Sequence, residues 1–146
     1  MKKTVRAVLR TRMGIIMMRT EGQRLWGFIE IPVGENDVSW EHTLIRELPK
    51  ITGIKAHLTR IRRITSRTSQ RGASTRKRQT IYCEIVVPDT QILAEIRSWG
   101  PDGEEVGEIP YHRARDVTCV RKNVRDFLAR YHLLRAPRLQ TLMNRR

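Results

Sequence analysis

One stretch constrains this chain more than any other. Residues 60–79, RIRRITSRTSQRGASTRKRQ, carry Arg60, Arg62, Arg63, Arg67, Arg71, Arg76, Lys77 and Arg78 and not one acidic side chain. The stretch runs directly into TIYCEIVV, residues 80–87, whose β-branched and aromatic content makes a strand, and a further strand is expected within residues 54–64. A basic run held between two strands is accommodated most simply as a long hairpin, about residues 60–80, with a mobile tip at residues 66–75. Arginines interleaved with Ser and Thr suit successive phosphates, since guanidinium forks pair with their oxygens and hydroxyls add hydrogen bonds. A basic loop that is merely solvated is the alternative these residues leave open.

The rest of the composition agrees with a polyanionic partner. The chain has 146 residues, the size of one domain, and 39% of them are hydrophobic, enough for a real core. Lys and Arg outnumber Asp and Glu by 29 to 15, giving a formal charge of +14 and favouring RNA, DNA or an anionic surface. Aromatic residues are only 5%, so no base-stacking platform is evident, although Tyr82, Trp99 and Tyr111 are candidates. Recognition of a nucleic-acid backbone or of structured RNA is therefore favoured over sequence readout.

Several function classes are excluded. Cys83 and Cys119 sit in no CxxC or Cys/His spacing, so they read as buried thiols in a reducing cytoplasm, the location expected for the chain. His42, His57, His112 and His132 form no HExxH or triad-like pattern, and neither a phosphate-cradling P-loop nor a G-x-G-x-x-G turn occurs. No apolar run has the length of a membrane span. The basic opening is read as structure, because Val5, Ala7 and Leu9 alternate with Arg6, Val8 and Arg10 as in a strand.

Further along, IIMM at residues 15–18 reads as a strand buried on both faces. SWEHTLIREL, residues 39–48, reads as a helix capped by Ser39, with Trp40, Leu44 and Leu48 on one side. Pro49 is expected to end or distort it, because it lacks an N–H and crowds the carbonyl of Ile45. Residues 88–100 are compatible with either a short helix or a strand, PDGEEVG is a loop and EIPYH is extended. DVTCVRKNVRDFLARYHLL forms a long C-terminal helix capped by Asp116 or Thr118. Residues 1–136 then make one domain and 137–146 a basic tail, and the order of elements predicts an α+β or α/β sandwich with a mixed sheet.

At this point the residues carry a resemblance. LWGFIEIPVGENDVSWEHTLIRELPKITGI resembles the Nudix box and its approach, whose pattern is G-x5-E-x7-R-E-U-x-E-E-x-G-U with U aliphatic. Arg46, Glu47, Leu48, Gly53 and Ile54 match as they stand, Trp26-Gly27 matches the tryptophan that precedes the box, and EIPYHRARD is similar to the segment leading into the family's last helix. The likeness spans residues 3–134. It implies an α/β/α sandwich with a box helix and a long C-terminal helix, and a site where helix carboxylates hold Mg²⁺ against a diphosphate while water attacks.

Four positions of that box depart from the family. Its adjacent glutamates fall on Lys50 and Ile51, and strict spacing puts its upstream glutamate on Val38 and its first glycine on Pro32. A hard dication needs several oxygen ligands, and reversing one nearby charge changes the interaction by on the order of several kcal/mol even with a screened dielectric. The expected outcome is a degenerate Nudix-like domain that is not a working enzyme, needs no cofactor, and binds RNA or a ribonucleoprotein through hairpin and tail, a fate that resemblance to catalytically silent RNA-binding or ribosome-associated members also implies. The alternative is a Mg²⁺-dependent pyrophosphohydrolase acting on a nucleoside diphosphate derivative, its site rebuilt from Glu35 and Glu47 as metal ligands with Glu104 and Glu105 alongside Glu47 in catalysis. A protein-interaction module whose charge only aids solubility is a third.

Overall fold

The computed structural model describes residues 2–70, 77–89 and 102–138. β1 (Lys2–Arg10) is the strand around which the sheet is built. Along one edge it pairs in parallel with β5 (Lys77–Val86), from Lys2 opposite Arg78 to Arg10 opposite Val86. Its other edge is divided between β3 (Ile29–Pro32), opposite residues 4–7, and β2 (Gly14–Arg19), opposite Leu9 and Arg10. β4 (Arg62–Gln70) flanks β5 and β6 (Glu105–Pro110) flanks β2, giving the order β4-β5-β1-β2-β6 with β3 beside β1. One parallel seam among antiparallel ones makes the sheet mixed, as expected.

Strand alternation sorts the apolar side chains into two cores. Val5, Leu9 and Ile16 meet Leu44 and Leu48 of α1 (Trp40–Thr52) on one face. Val8, Ile15, Met17 and Tyr82 meet Val124, Phe127 and Leu128 of α3 (Lys122–Arg130) on the other, and α2 (Tyr111–Ala114) is a single turn after β6. This is an α/β/α sandwich. Both cysteines are buried free thiols, and burial, with Glu41 and Glu84 nearby, pushes Cys83 up to about 12.

Four expectations are corrected. Helix α1 does not stop at Pro49 but continues to Thr52, where Gly53, at φ 79°, donates its N–H to the Pro49 carbonyl at 2.9 Å. Burial of Leu44, Leu48 and Thr52 against the sheet outweighs the one hydrogen bond that proline removes. Residues 66–70, expected in a mobile tip, are strand paired with β5 up to Gln70 opposite Lys77. Glu105 and Gly107 belong to β6 rather than a loop. The C-terminal helix is shorter than expected: Asp116 accepts the Thr118 N–H at 2.8 Å and its hydroxyl at 2.7 Å, closing a local turn, and the helix runs only from Lys122 to Arg130, with His132 at φ 59° beyond its end. The expectations for residues 71–76, 90–101, including Trp99, and 139–146 lie outside the described residues.

Candidate functional site

Ser39 opens α1 as its sequence predicts, its hydroxyl accepting the His42 N–H at 3.2 Å. Just upstream the loop closes on Asp37, a residue the motif reading passed over. Its carboxylate accepts the Gly34 N–H (2.8 Å), the Thr43 hydroxyl (2.6 Å) and two nitrogens of the Arg46 guanidinium (2.5 and 3.1 Å). The Arg46 hydrogen bond first, then those from Thr43 and Gly34, hold the Asp37 carboxyl well below the usual carboxylate range. A Cβ at Gly34 would stand 2.9 Å from the Asp37 carboxylate, so a side chain there would disturb the turn. The signal in the sequence was a glycine followed three residues later by aspartate, just before a helix cap.

Arg46 also donates from Nε to Glu47 Oε1 at 3.0 Å, and Lys50 reaches that same oxygen at 3.5 Å. The Arg46 hydrogen bond, followed by the Lys50 charge, draws the Glu47 carboxyl below its ordinary value despite partial desolvation. Its bonds to Asp37 and then Glu47 raise Arg46 in turn. Ile51 packs against the α1-side core. The remaining glutamates have separate surroundings: Glu35 is exposed in the loop before α1, Glu104 accepts the Asp102 N–H at 3.1 Å, and Glu105 pairs with Arg19 at 2.8 Å. Among the described residues, no group of three or more His, Cys, Asp or Glu is placed to hold a metal ion. Chemically, a carboxylate already shared by two cations gives a dication a repulsive neighbourhood.

The basic hairpin is a pair of antiparallel strands. Arg62 lies opposite Glu84 and bonds it at 3.1 Å, while the other oxygen of Glu84 takes a 2.7 Å bond from buried Arg10. Arg63 donates to the Ser66 hydroxyl at 2.6 Å, and Arg67 lies over the rings of Tyr82 and Phe127, 5.3 and 5.5 Å from their centroids. Arg60 sits in a 3-10 turn before β4, Lys77 and Arg78 are exposed at the start of β5, and Arg71 and Arg76 lie outside the described residues.

A cleft of about 220 Å³ opens between β2, β3 and the start of α3, lined by Arg6, Arg19, Gln23, Phe28, Arg121 and Asn123 among others. Arg6 is braced by Glu30 at 3.3 Å and the Tyr82 hydroxyl at 2.7 Å, and Arg19 lies over Trp26 at 4.3 Å. The lining comes from separated parts of the chain, so no local motif announced it.

No protein-family model matches the chain, and no curated protein does. Solved structures do. A MutT/nudix family protein from Enterococcus faecalis is similar with a TM-score of 0.60 at 18% identity over 75% of this chain, which spans only 43% of that protein. MutT, from a study of Aliivibrio salmonicida and Vibrio cholerae, gives 0.62 at 14% identity, covering 90% of this chain and 95% of the other. The NUDIX domain of Shewanella oneidensis NrtR, solved with ADP ribose, gives 0.62 at 19% identity, covering 90% and 87%. At such identities the likeness speaks for architecture alone: a mixed sheet with the box helix on one face and the C-terminal helix on the other is the Nudix fold, and this chain has it.

Proposed function

We propose that this Nudix-fold chain binds RNA, free or within a ribonucleoprotein, through its basic hairpin and tail, and that it does not hydrolyse diphosphates. The observation that carries the reading is the hairpin itself. Arg63, Arg67, Lys77 and Arg78 stand exposed along two paired strands, whose one acidic residue among those described, Glu84, is buried beneath Arg10 and Arg62. The test is anisotropy of labelled RNA titrated with the protein across a salt series. With about four phosphates engaged, log affinity falls against log salt with a slope of about −3 for a single strand. Binding that is absent or insensitive to salt removes the reading.

The cleft favours a second reading. Arg6, Arg19 and Arg121 line it, the Arg121 guanidinium without an ion-pair or hydrogen-bond partner among the described residues, and such a cavity suits the anionic part of a nucleoside diphosphate derivative. ADP ribose, held by the NrtR domain, is one. On this reading Glu35, Glu47, Glu104 and Glu105 would bring Mg²⁺ to the diphosphate. Phosphate release from a nucleotide panel with Mg²⁺ or Mn²⁺, abolished by Glu47→Gln, would establish the enzyme in place of the silent binder.

A further inference from the structure

The β4–β5 register carries one irregularity, and it decides which way the hairpin's arginines face. Arg63 pairs with Cys83 and Thr65 with Tyr82, leaving Ile64 as an extra residue in a bulge. Without the bulge Ile64, Ser66 and Thr68 would share the Tyr82 face; with it, Thr65, Arg67 and Ser69 do. Three cross-strand rows follow on the α3 side of the sheet. They are Lys2–Arg78–Ser69, Thr4–Thr80–Arg67 and Arg6–Tyr82–Thr65, spaced roughly 6.7 Å apart along the strands.

This part of the sheet is polar, cationic and open. Lys2, Arg67, Ser69 and Arg78 are exposed, Thr4, Arg6 and Thr80 are half-buried, and α3 reaches the second row through Phe127, whose ring centroid lies 5.5 Å from the Arg67 guanidinium. The four charged side chains in these rows are all cations, and Glu30 of β3 pairs with one of them, Arg6, at 3.3 Å. Arg67 is the unusual member. Its guanidinium stands 5.3 and 5.5 Å from the ring centroids of Tyr82 and Phe127, in an aromatic stack in which those two lie 4.2 Å apart and Tyr131 follows at 4.5 Å, and the residue is exposed. An arginine braced in this way is a fixed plane on which a second π-system can lie.

We infer that this open end of the sheet is a docking surface for a single-stranded segment of nucleic acid, with a base on the outer face of Arg67 and phosphates at Lys2, Arg6 and Arg78. The inference rests on the RNA-binding reading and narrows it to one strand state and one face of the hairpin. A duplex is disfavoured because its base faces are already stacked within the helix and none is free to lie on Arg67. Thr4, Thr80 and Ser69 add hydroxyls between the cations, suited to phosphate or ribose oxygens.

The experiment uses the full chain, a dye-labelled single-stranded RNA and the same sequence as a duplex, read by anisotropy at fixed salt. The single strand is expected to bind more tightly. Arg67→Lys keeps the charge but loses the plane, and is expected to lower single-strand affinity about tenfold while leaving the salt slope unchanged. Lys2→Glu is expected to weaken binding about tenfold, whereas Lys3→Glu, the same charge change on the α1 side of β1, leaves it within about twofold of wild type. Thermal melts of each variant separate lost binding from lost folding. Equal affinity for strand and duplex, an Arg67→Lys variant indistinguishable from wild type, or equal losses from Lys2→Glu and Lys3→Glu would each overturn the surface while leaving RNA binding intact. No binding of either RNA by the wild-type chain would overturn both readings.

Discussion

Asp37 gathers a backbone N–H, a hydroxyl and a guanidinium on one carboxylate, and through Arg46 it shares a cation with Glu47. The arrangement ties the loop before α1 to the helix by charge. Because the folded carboxyl titrates below the ordinary value of 3.8, its ionised form favours the native state. That contribution is complete above about pH 5 and is lost as pH falls through the unfolded value towards the lower folded one. Asp37→Asn should therefore lower the melting temperature at neutral pH, and the gap between variant and wild type should narrow below about pH 4, as melts over a pH series would show. A variant gap that stays constant down to low pH would contradict the assignment.

Helix α1 shows what tertiary burial does to a local breaker. Pro49 leaves the Ile45 carbonyl without its helical donor, yet the segment stays helical to Thr52 because its apolar side is buried and Gly53 closes it in the left-handed region. Pro49→Ala should restore the missing bond and raise stability by about 1–3 kcal/mol, measured from the denaturant midpoint. Elements with strong periodicity or composition were legible in the sequence: β1 from its alternation, β5 from TIYCEIVV, the start of α1 from Ser39. Local side-chain chemistry hid others, as when Asp116 diverted residues 116–120 into a turn that periodicity assigns to a helix. The same division holds for the site. Box residues are neighbours in sequence and could be aligned one by one. Arg6, Arg67 and Tyr82 meet only through strand pairing and a bulge, which no linear pattern displays.

At the scale of the molecule, one buried charge cluster joins distant parts. Arg10, in the central strand, bonds Glu84 at 2.7 Å and the Arg135 carbonyl at 2.6 Å beyond α3, while Glu84 takes a second bond from Arg62 of β4. Glu84→Gln would leave Arg10 buried without a counter-charge and should cost about 3–5 kcal/mol in equilibrium unfolding. Arg62→Ala, removing the partner whose side chain is 59% exposed, should cost less than about 1 kcal/mol. Comparable losses from the two would show that the cluster is not centred on Arg10.

The parallel seam of β1 and β5 also sets an order of assembly. Residues that touch across it, such as Lys2 and Arg78, are separated by more than half the chain, whereas β4 and β5 are joined by a short connection. Loop closure of that length makes the seam a late event, and the locally paired strands zip first. The rows that unite Lys2 with Arg78 therefore come into being only when both ends of that long excursion have met.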